Sequence, residues 1–392
     1  MPLRILTLNQ ISPRGLARFP AGRYQVGAAV TDPDAILVRS AELDGASIPP
    51  GVRAIGRAGV GVNNIPVAEM SRRGVPVFNT PGANANAVKE LVLAGLFLAA
   101  RNIGPAWLFA RGLSGDDAAI EEAVEAGKKR FVGFELPGRT LGVVGLGAVG
   151  VEVANSALAL GMKVLGYDPQ LTVQRAWQLS ASVEQALSLD DLFARSDAIT
   201  VHVPLNGATR ALVNAARLEL MRAAGTILNF ARAAIVDEAA VLAALDAGKL
   251  HAYVCDFPSR ALKEHPRVIM LPHLGASTGE AEENCAIMVA EQVRDFLENG
   301  NIRNSVNYPD AVLPRLPNTT RLGVANRNVP NMVGQISTCL AGHGINIADL
   351  LNKSRGEYAY TLIDADGELG EELLERIRAI DGVLSARILQ GT

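Results

Sequence analysis

The chain of 392 residues holds only three cysteines, Cys255, Cys285 and Cys339, far apart and without a CxxC pair. That spacing excludes a disulfide framework, offers no zinc site or other metal site, and fits a reducing compartment. Aromatic residues make up 5% of the chain, too few for a base-stacking surface. The formal net charge of -3 gives no electrostatic attraction to nucleic acid or to an anionic membrane. Apolar runs such as "ELVLAGLFLAA" stop well short of the roughly 20 residues that span a bilayer. The amino-terminal run "MPLRILTLNQ" lacks the charged-then-apolar pattern of a signal peptide. The expectation is a cytoplasmic protein with neither a membrane nor a nucleic-acid partner.

What is present is the profile of a globular protein, 49% apolar and 20% charged. The length implies two or three domains. In the first hundred residues "RILTL", "AILVRS", "RAIGRAG" and "VPVFNT" read as strands between helical patterns, which predicts a parallel α/β layer. A helix is predicted over "NAVKELVLAGLFLAARN". Six further β-rich runs follow, "TLGVVG", "KVLGY", "AITVHV", "TILNFA", "AYVCD" and "VIML", with helical sequence between most of them. A second long helix is predicted from Thr278 to Asn299, stopped by a glycine.

Two long helices flanking one six-stranded unit suggest a cofactor domain inserted into the first domain, in preference to three domains in series. The stretch "NYPDAVLPRLPNT" carries three prolines and reads as an extended linker. Beyond it the pattern is strand, helix, strand, strand, helix, strand, a ferredoxin-like βαββαβ module. The predicted class is therefore α/β, with two Rossmann-like or flavodoxin-like domains and the C-terminal module. The predicted boundaries are 1–101 with 278–306 for the substrate domain and 102–277 for the cofactor domain. A linker over 307–318 and the module over 319–392 complete the chain.

A GxGxxG run is weak evidence by itself. Here Gly145, Gly147 and Gly150 follow a strand and open a helix, with Leu146, Ala148 and Val149 between them. Such a turn brings backbone close to a pyrophosphate at a helix N-terminus. The next strand ends at Asp168, where a carboxylate can accept both ribose hydroxyls and repel a 2′-phosphate, which favours NAD over NADP. Removing hydride from a hydroxyl-bearing carbon also needs a base and a cation for the substrate carboxylate. Of five histidines, His251 and His265 sit in polar, turn-like sequence expected at the surface, and His343 lies in the C-terminal module. His202 and His273 each follow a strand, where open α/β sheets bind ligands. Arg232 follows another strand end and can grip a carboxylate with two parallel hydrogen bonds.

The runs "VVGLGAVG", "YDP", "HVPL", "NFARAAIVDEAAVLAAL" and "LPHLGAST", with "GRAGVGVNNIPVAEMSRRGVPVFNTPGANANAVKEL", resemble the D-isomer-specific 2-hydroxyacid dehydrogenases over nearly the whole chain. The resemblance implies that NAD meets His202, Pro204, Asn229 and Asp256, the last at the nicotinamide amide. It makes Arg232 the holder of the substrate carboxylate and His273 the general acid/base. The family's histidine is usually paired with a glutamate, but the expected position holds Ala261. Glu264 could substitute, Lys263 could take a role, or His273 could act alone.

Within the family the chain is most similar to members that oxidise 3-phospho-D-glycerate at the start of serine formation. That implies a phosphorylated small-molecule substrate, held by Arg39, Ser40, Arg57, Gly59, Val60, Gly61 and Lys129. The C-terminal module resembles an ACT domain, which implies a serine effector at Asn326, Asn328 and Asn346, with Asn326 standing where a histidine is usual. A homodimer or tetramer is also implied. Two alternatives stay open: another D-2-hydroxyacid dehydrogenase, of the glyoxylate or hydroxypyruvate reductase kind, and a non-enzymatic NAD-sensing module.

Overall fold

The computed structural model describes residues 2–389. The chain divides into two compact units, Met1–Ala83 with Glu282–Thr392, and Asn84–Ala281.

The first unit contains a parallel sheet in the order Tyr24–Gly27, Leu3–Leu8, Ala35–Val38, Ala54–Arg57, Val77–Phe78. This is the flavodoxin-like order, with its switch between the first and third strands. The strand Tyr24–Gly27 has no alternating apolar signal and was absent from the sequence expectation. The helix Gly279–Asn299 turns Cys285, Ala286, Val289, Val293 and Phe296 into the core. Their spacing is the stripe a packed helix requires. Gly56 lets that helix close on the sheet, since an added Cβ would lie 2.6 Å from Val289.

The C-terminal module belongs to the same unit. Its antiparallel sheet runs Ile347–Arg355, Tyr358–Asp366, Thr319–Arg327, Val383–Leu389. Alternation divides the two faces. Leu322, Val324, Ile363 and Ala365 pack with Ile336, Leu340, Leu373 and Ile377 of the module's helices Met332–Gly342 and Glu371–Arg378. Ala325, Tyr360 and Leu362 point the other way and join Phe296 and Tyr308 in the unit's main core.

The stretch expected as an extended linker is therefore packed. Tyr308, Ala311 and Leu313 are buried, and Tyr308 Oη donates to the Ser71 carbonyl at 2.7 Å. Asn307 is tied to Val77, Ser71 and Val75. Proline content marks chain stiffness but does not reveal such burial.

The second unit is a seven-stranded parallel sheet in the order Val268–Met270, Leu250–Cys255, Gly225–Asn229, Ala198–Val201, Thr140–Val144, Lys163–Tyr167, Glu184–Gln185. The two-residue seventh strand was too short to be read in the sequence. The long helix Ala85–Ala100 packs here, with Val88, Val92, Leu96 and Ala99 in one core with Val143, Val151 and Ala154. Its apolar face was legible, but not which sheet it covers, so the unit begins at Asn84 where sequence reading put a boundary after residue 101. No single helix among the described residues is long and apolar enough to cross a membrane.

Candidate active site

In the seven-stranded parallel sheet the order of successive strands reverses between Thr140–Val144 and its neighbour Ala198–Val201. Parallel sheets bind ligands at such a switch point, beyond the strands' carboxyl ends. Gly145 leaves the first strand with φ of 89°, a conformation that L side chains resist. A Cβ on Gly150 would stand 1.9 Å from the Gly145 carbonyl oxygen, so the helix Ala148–Ala159 can approach the turn only because position 150 is glycine. A Cβ on Gly147 would meet nothing within 4 Å. The backbone there faces open space at the helix N-cap, as a pyrophosphate cradle requires.

Asp168 ends the next strand and holds the turn. Its Oδ2 accepts from the Leu146 N–H at 2.8 Å and its Oδ1 from Gln170 at 2.8 Å. Each carboxylate oxygen keeps a second lone pair for a ribose hydroxyl. Asp168→Ala is expected both to weaken NAD binding and to lower discrimination against NADP. Titrating each dinucleotide by quenching of intrinsic fluorescence checks it, with an unchanged NAD/NADP affinity ratio counting against the assignment.

His202 follows the strand at the switch point, its Nε2 2.9 Å from Thr200 Oγ1. Burial pushes its pKa down to about 4, so the ring is neutral at neutral pH. A histidine held below its unfolded value, ~6.5, contributes stability above that pH and loses it as pH falls towards 4. Replacing His202 with Gln should flatten the slope of unfolding free energy against pH in that window. Pro204 is exposed two residues on, its carbonyl accepting from Thr209 Oγ1.

Asn229 is fully buried at the end of the next strand, where it accepts from the Ala231 N–H and donates to the Arg232 carbonyl at 2.9 Å. It thereby sets the turn that presents Arg232, whose guanidinium also caps the Ala231 carbonyl at 2.6 Å.

Asp256, 1% exposed, leaves the strand Leu250–Cys255. Its Oδ2 accepts from the Gly275 N–H at 3.1 Å, and its carbonyl accepts from the His273 N–H at 3.1 Å. Burial raises its carboxyl pKa, against the pull of the Gly275 N–H and the charges of His273 and Arg232. Its Oδ1 is buried with no hydrogen-bond partner among the described residues, an orphaned acceptor of the kind a carboxamide donor would satisfy.

His273 lies on the turn after Val268–Met270 with φ of 50° and an exposed side chain. Phe257 packs edge-on against the ring at 5.4 Å. This aromatic support was missed in the sequence, although it stands next to Asp256.

Among the described residues no hydrogen bond or ion pair links Glu264 to His273. Glu264 lies in the turn Leu262–Glu264 with its side chain 77% exposed, and pairs with Lys263 at 3.3 Å. Asp256 is a carboxylate on which the His273 charge acts. His251 and His265 are also not simple surface residues. The first stacks on Phe134 and meets the Ala99 carbonyl, and the side chain of the second is 12% exposed beside Asp246.

The remaining substrate candidates lie in the first unit, except Lys129, an exposed residue of the turn Lys128–Phe131 in the second. Arg39 pairs with Glu282, and its carbonyl accepts from Arg57 Nε at 3.0 Å. Asn9, unnoticed in the sequence, caps the N–H groups of Ser40 and Ala41 with its Oδ1. Arg57 lies flat over Gly59, where a Cβ would be 1.6 Å from its Nη1. Gly59 and Val60 have their carbonyls tied back by Thr80 N–H and Asn79 Nδ2. The N–H groups of Val60 and Gly61 meet no acceptor among the described residues, which leaves a loop of donors beside arginine.

In the C-terminal module Asn326 is buried and Asn328 exposed at one end of Thr319–Arg327. Their Nδ2 groups donate to Arg327 and Gly356 carbonyls. Asn346 donates to Asp366 Oδ2 at 2.7 Å, at the opposite end of the sheet. Six residues of strand separate the two ends, about 20 Å at the usual rise. The three do not converge within one chain.

Residues 104–275 match the family model described as "D-isomer specific 2-hydroxyacid dehydrogenase, NAD binding domain". A D-3-phosphoglycerate dehydrogenase of Haemophilus influenzae is 31% identical over 87% of this chain and 82% of its own length. The chain belongs to this family. Another family member of the same name, from Synechocystis sp., is 34% identical over 91% of this chain, which spans only 64% of that relative's length. Among solved structures, an NAD+-bound 3-phosphoglycerate dehydrogenase of Entamoeba histolytica aligns with a TM-score of 0.61 and 25% identity. The alignment covers 78% of this chain and 99% of that one. The family's NAD-binding domain is thus the unit that carries the glycine turn, Asp168, Arg232 and His273.

Proposed function

We propose that the chain is an NAD-dependent dehydrogenase that oxidises 3-phospho-D-glycerate to 3-phosphohydroxypyruvate. The observation that carries this reading is buried Asp256, whose carbonyl accepts the His273 N–H at 3.1 Å and on whose carboxyl the Arg232 charge acts, in the unit whose glycine turn lies at the sheet's switch point. A dinucleotide sensor needs the turn and Asp168. It has no use for a guanidinium and an imidazole beside an orphaned carboxylate oxygen.

The residues fit NAD. Gly145, Gly147, Ala148, Val149 and Gly150 would take the pyrophosphate, Asp168 the ribose, and Asp256 Oδ1 the carboxamide, with His202, Pro204 and Asn229 around the cleft. When bound, NAD supplies the acceptor for hydride. The protein residues perform the remaining work. Arg232 holds the substrate carboxylate and the oxygen on C2, where charge develops, by a paired guanidinium contact. His273 takes the hydroxyl proton as C2 gives up its hydride. Asp256 anchors the His273 backbone through its carbonyl. Phe257 holds the ring's orientation.

The donor loop Gly59 to Gly61, with Arg39, Ser40 and Arg57, would receive the substrate's anionic groups, and Lys129 offers a further cation. The relatives named for 3-phosphoglycerate favour this substrate within the family. A serine effector at Asn326, Asn328 and Asn346 would need two copies of the module, because one chain separates them. That calls for a homodimer or tetramer.

The test follows NADH absorbance with 3-phosphoglycerate, 2-hydroxyglutarate, glycerate and lactate, each with and without serine. The expected result is highest kcat/KM for 3-phosphoglycerate, reduced by serine. Turnover of another acid with none of 3-phosphoglycerate would overturn the substrate assignment, and absence of any turnover would return the chain to the sensing alternative.

A further inference from the structure

A cavity of about 1520 Å³ lies in the first unit, bounded by the five-stranded sheet, the helix Gly279–Asn299 and the C-terminal module. None of the candidate substrate, cofactor or effector residues lines it. Five arginines do, Arg23, Arg53, Arg73, Arg378 and Arg387, against two carboxylates, Glu298 and Glu371.

Most of these charges are accounted for. Glu298 pairs with Arg23, Glu371 with Arg378, and Arg53 with Asp34. Arg73 donates to the Ile48 and Pro49 carbonyls. Arg387 differs. Its guanidinium lies over the Phe296 ring at 3.8 Å, donates to the Phe296 carbonyl at 2.5 Å, and has the Tyr360 hydroxyl as its other neighbour. All three are neutral, and among the described residues no carboxylate pairs with Arg387. The charge that acts on it from across the cavity is a second cation, Arg53. Burial and Arg53 both work against its protonated form, against the pull of Tyr360.

The Arg387 Nη1 is buried without a hydrogen-bond partner among the described residues, which is costly for a cation unless an anion completes the arrangement. Here nothing in the fold of the described residues completes it. Arg387 is built into the sheet opposite Gly323.

We propose that the cleft between Arg387 and Arg53 is a binding site for a small dianionic oxyanion, distinct from the catalytic and effector sites. Guanidinium groups grip planar or tetrahedral oxyanions through paired N–H donors. A phosphate and a dicarboxylate share the chemistry required. Occupied, the site would bridge the substrate domain's Arg53 to the module's last strand and fix their packing. The proposal is independent of which 2-hydroxy acid the chain turns over.

The test measures thermal unfolding of the full chain against increasing inorganic phosphate, succinate or chloride at constant ionic strength, with NAD present throughout to saturate the cofactor cleft. Phosphate or succinate should raise Tm saturably, by ~2 °C or more, and chloride should not. The arm that saturates at lower concentration identifies the ligand source. Arg53→Met, an exposed position that leaves the core intact, should abolish the saturable shift, and so should Arg387→Met if it folds. A shift of the same size and midpoint in Arg53→Met, or a rise that never saturates for either dianion, would overturn the site.

Discussion

His273→Ala is expected to lower kcat by about 10²–10⁴-fold, the range typical of a lost general acid/base, while NADH affinity stays near the wild-type value. The expectation rests on position. Among the described residues His273 is anchored through its own backbone, by the Asp256 and Leu271 carbonyls and Ser277 Oγ, and by the edge of Phe257. Removing the imidazole therefore leaves the buried Asp256–Gly275 contact and the cofactor cleft in place. Stopped-flow measurement of hydride transfer, alongside NADH titration, separates the two effects. Comparable loss of NADH binding would make His273 a structural residue of the cleft. Glu264→Gln provides the contrast. Its carboxylate is exposed and paired with Lys263, so kcat should change less than about twofold, as exposed ion pairs contribute little. If Glu264→Gln matched His273→Ala, a loop rearrangement would have to bring that carboxylate to the imidazole.

Arg321→Ala is expected to destabilise the first unit by about 3–5 kcal/mol, the usual cost of breaking a buried ion pair. Arg321 and Asp364 are both fully buried and joined by two short contacts, Nε to Oδ1 at 2.6 Å and Nη2 to Oδ2 at 2.7 Å. The remaining guanidinium donors reach the carbonyls of Asn299, Leu313 and Pro314. One side chain thus ties the module's first strand to the end of the long helix and to the proline-containing stretch. Ala at this site strands a carboxylate and three carbonyls.

Burial pushes the Asp364 carboxyl up, but the Arg321 hydrogen bonds, the Leu316 N–H and the charges of Arg321 and Arg315 outweigh it and hold the group below its ordinary value. A depressed carboxyl contributes stability above its unfolded pKa, ~3.9, and loses it as pH falls below that value. Wild type should therefore lose stability on acidification in a step that Asp364→Asn lacks. The double replacement Arg321→Met with Asp364→Leu should recover much of the single-variant loss, because it leaves no unpaired charge. Denaturant midpoints of the three variants, measured from pH 7 to pH 3, check both points. Equal instability of the double and single variants would place the contribution in shape and not in charge.

What the sequence made legible follows from the range of the forces involved. The glycine turn, Asp168, Arg232 and His273 were readable because each is a local pattern, a strand followed by a residue whose chemistry has few substitutes. The six elements of the C-terminal module were readable because period-2 and period-3.6 alternation repeat within each one. The strand Tyr24–Gly27 was not, since its residues alternate only weakly and its pairing with Leu3–Leu8 comes from distant chain.

Packing across long separations was equally hidden. Nothing local says that the helix Ala85–Ala100 covers the second sheet, or that Tyr308 is buried against Tyr358. The surroundings of His273 show the same limit. Counting residues after Asp256 drew attention to Glu264, whereas the fold returns His273 to Asp256 itself through the carbonyl that accepts its N–H. A sequence records spacing along the chain, but electrostatic partners are chosen by distance in space.

The most direct measurement uses 3-phospho-D-glycerate deuterated at C2 with NAD and the wild-type chain, and reads the product dinucleotide by mass spectrometry. The mechanism predicts one deuterium on the nicotinamide ring, a slowed hydride step, and no transfer from the L-enantiomer. Unlabelled NADH from the deuterated acid, or equal transfer from both enantiomers, would contradict it.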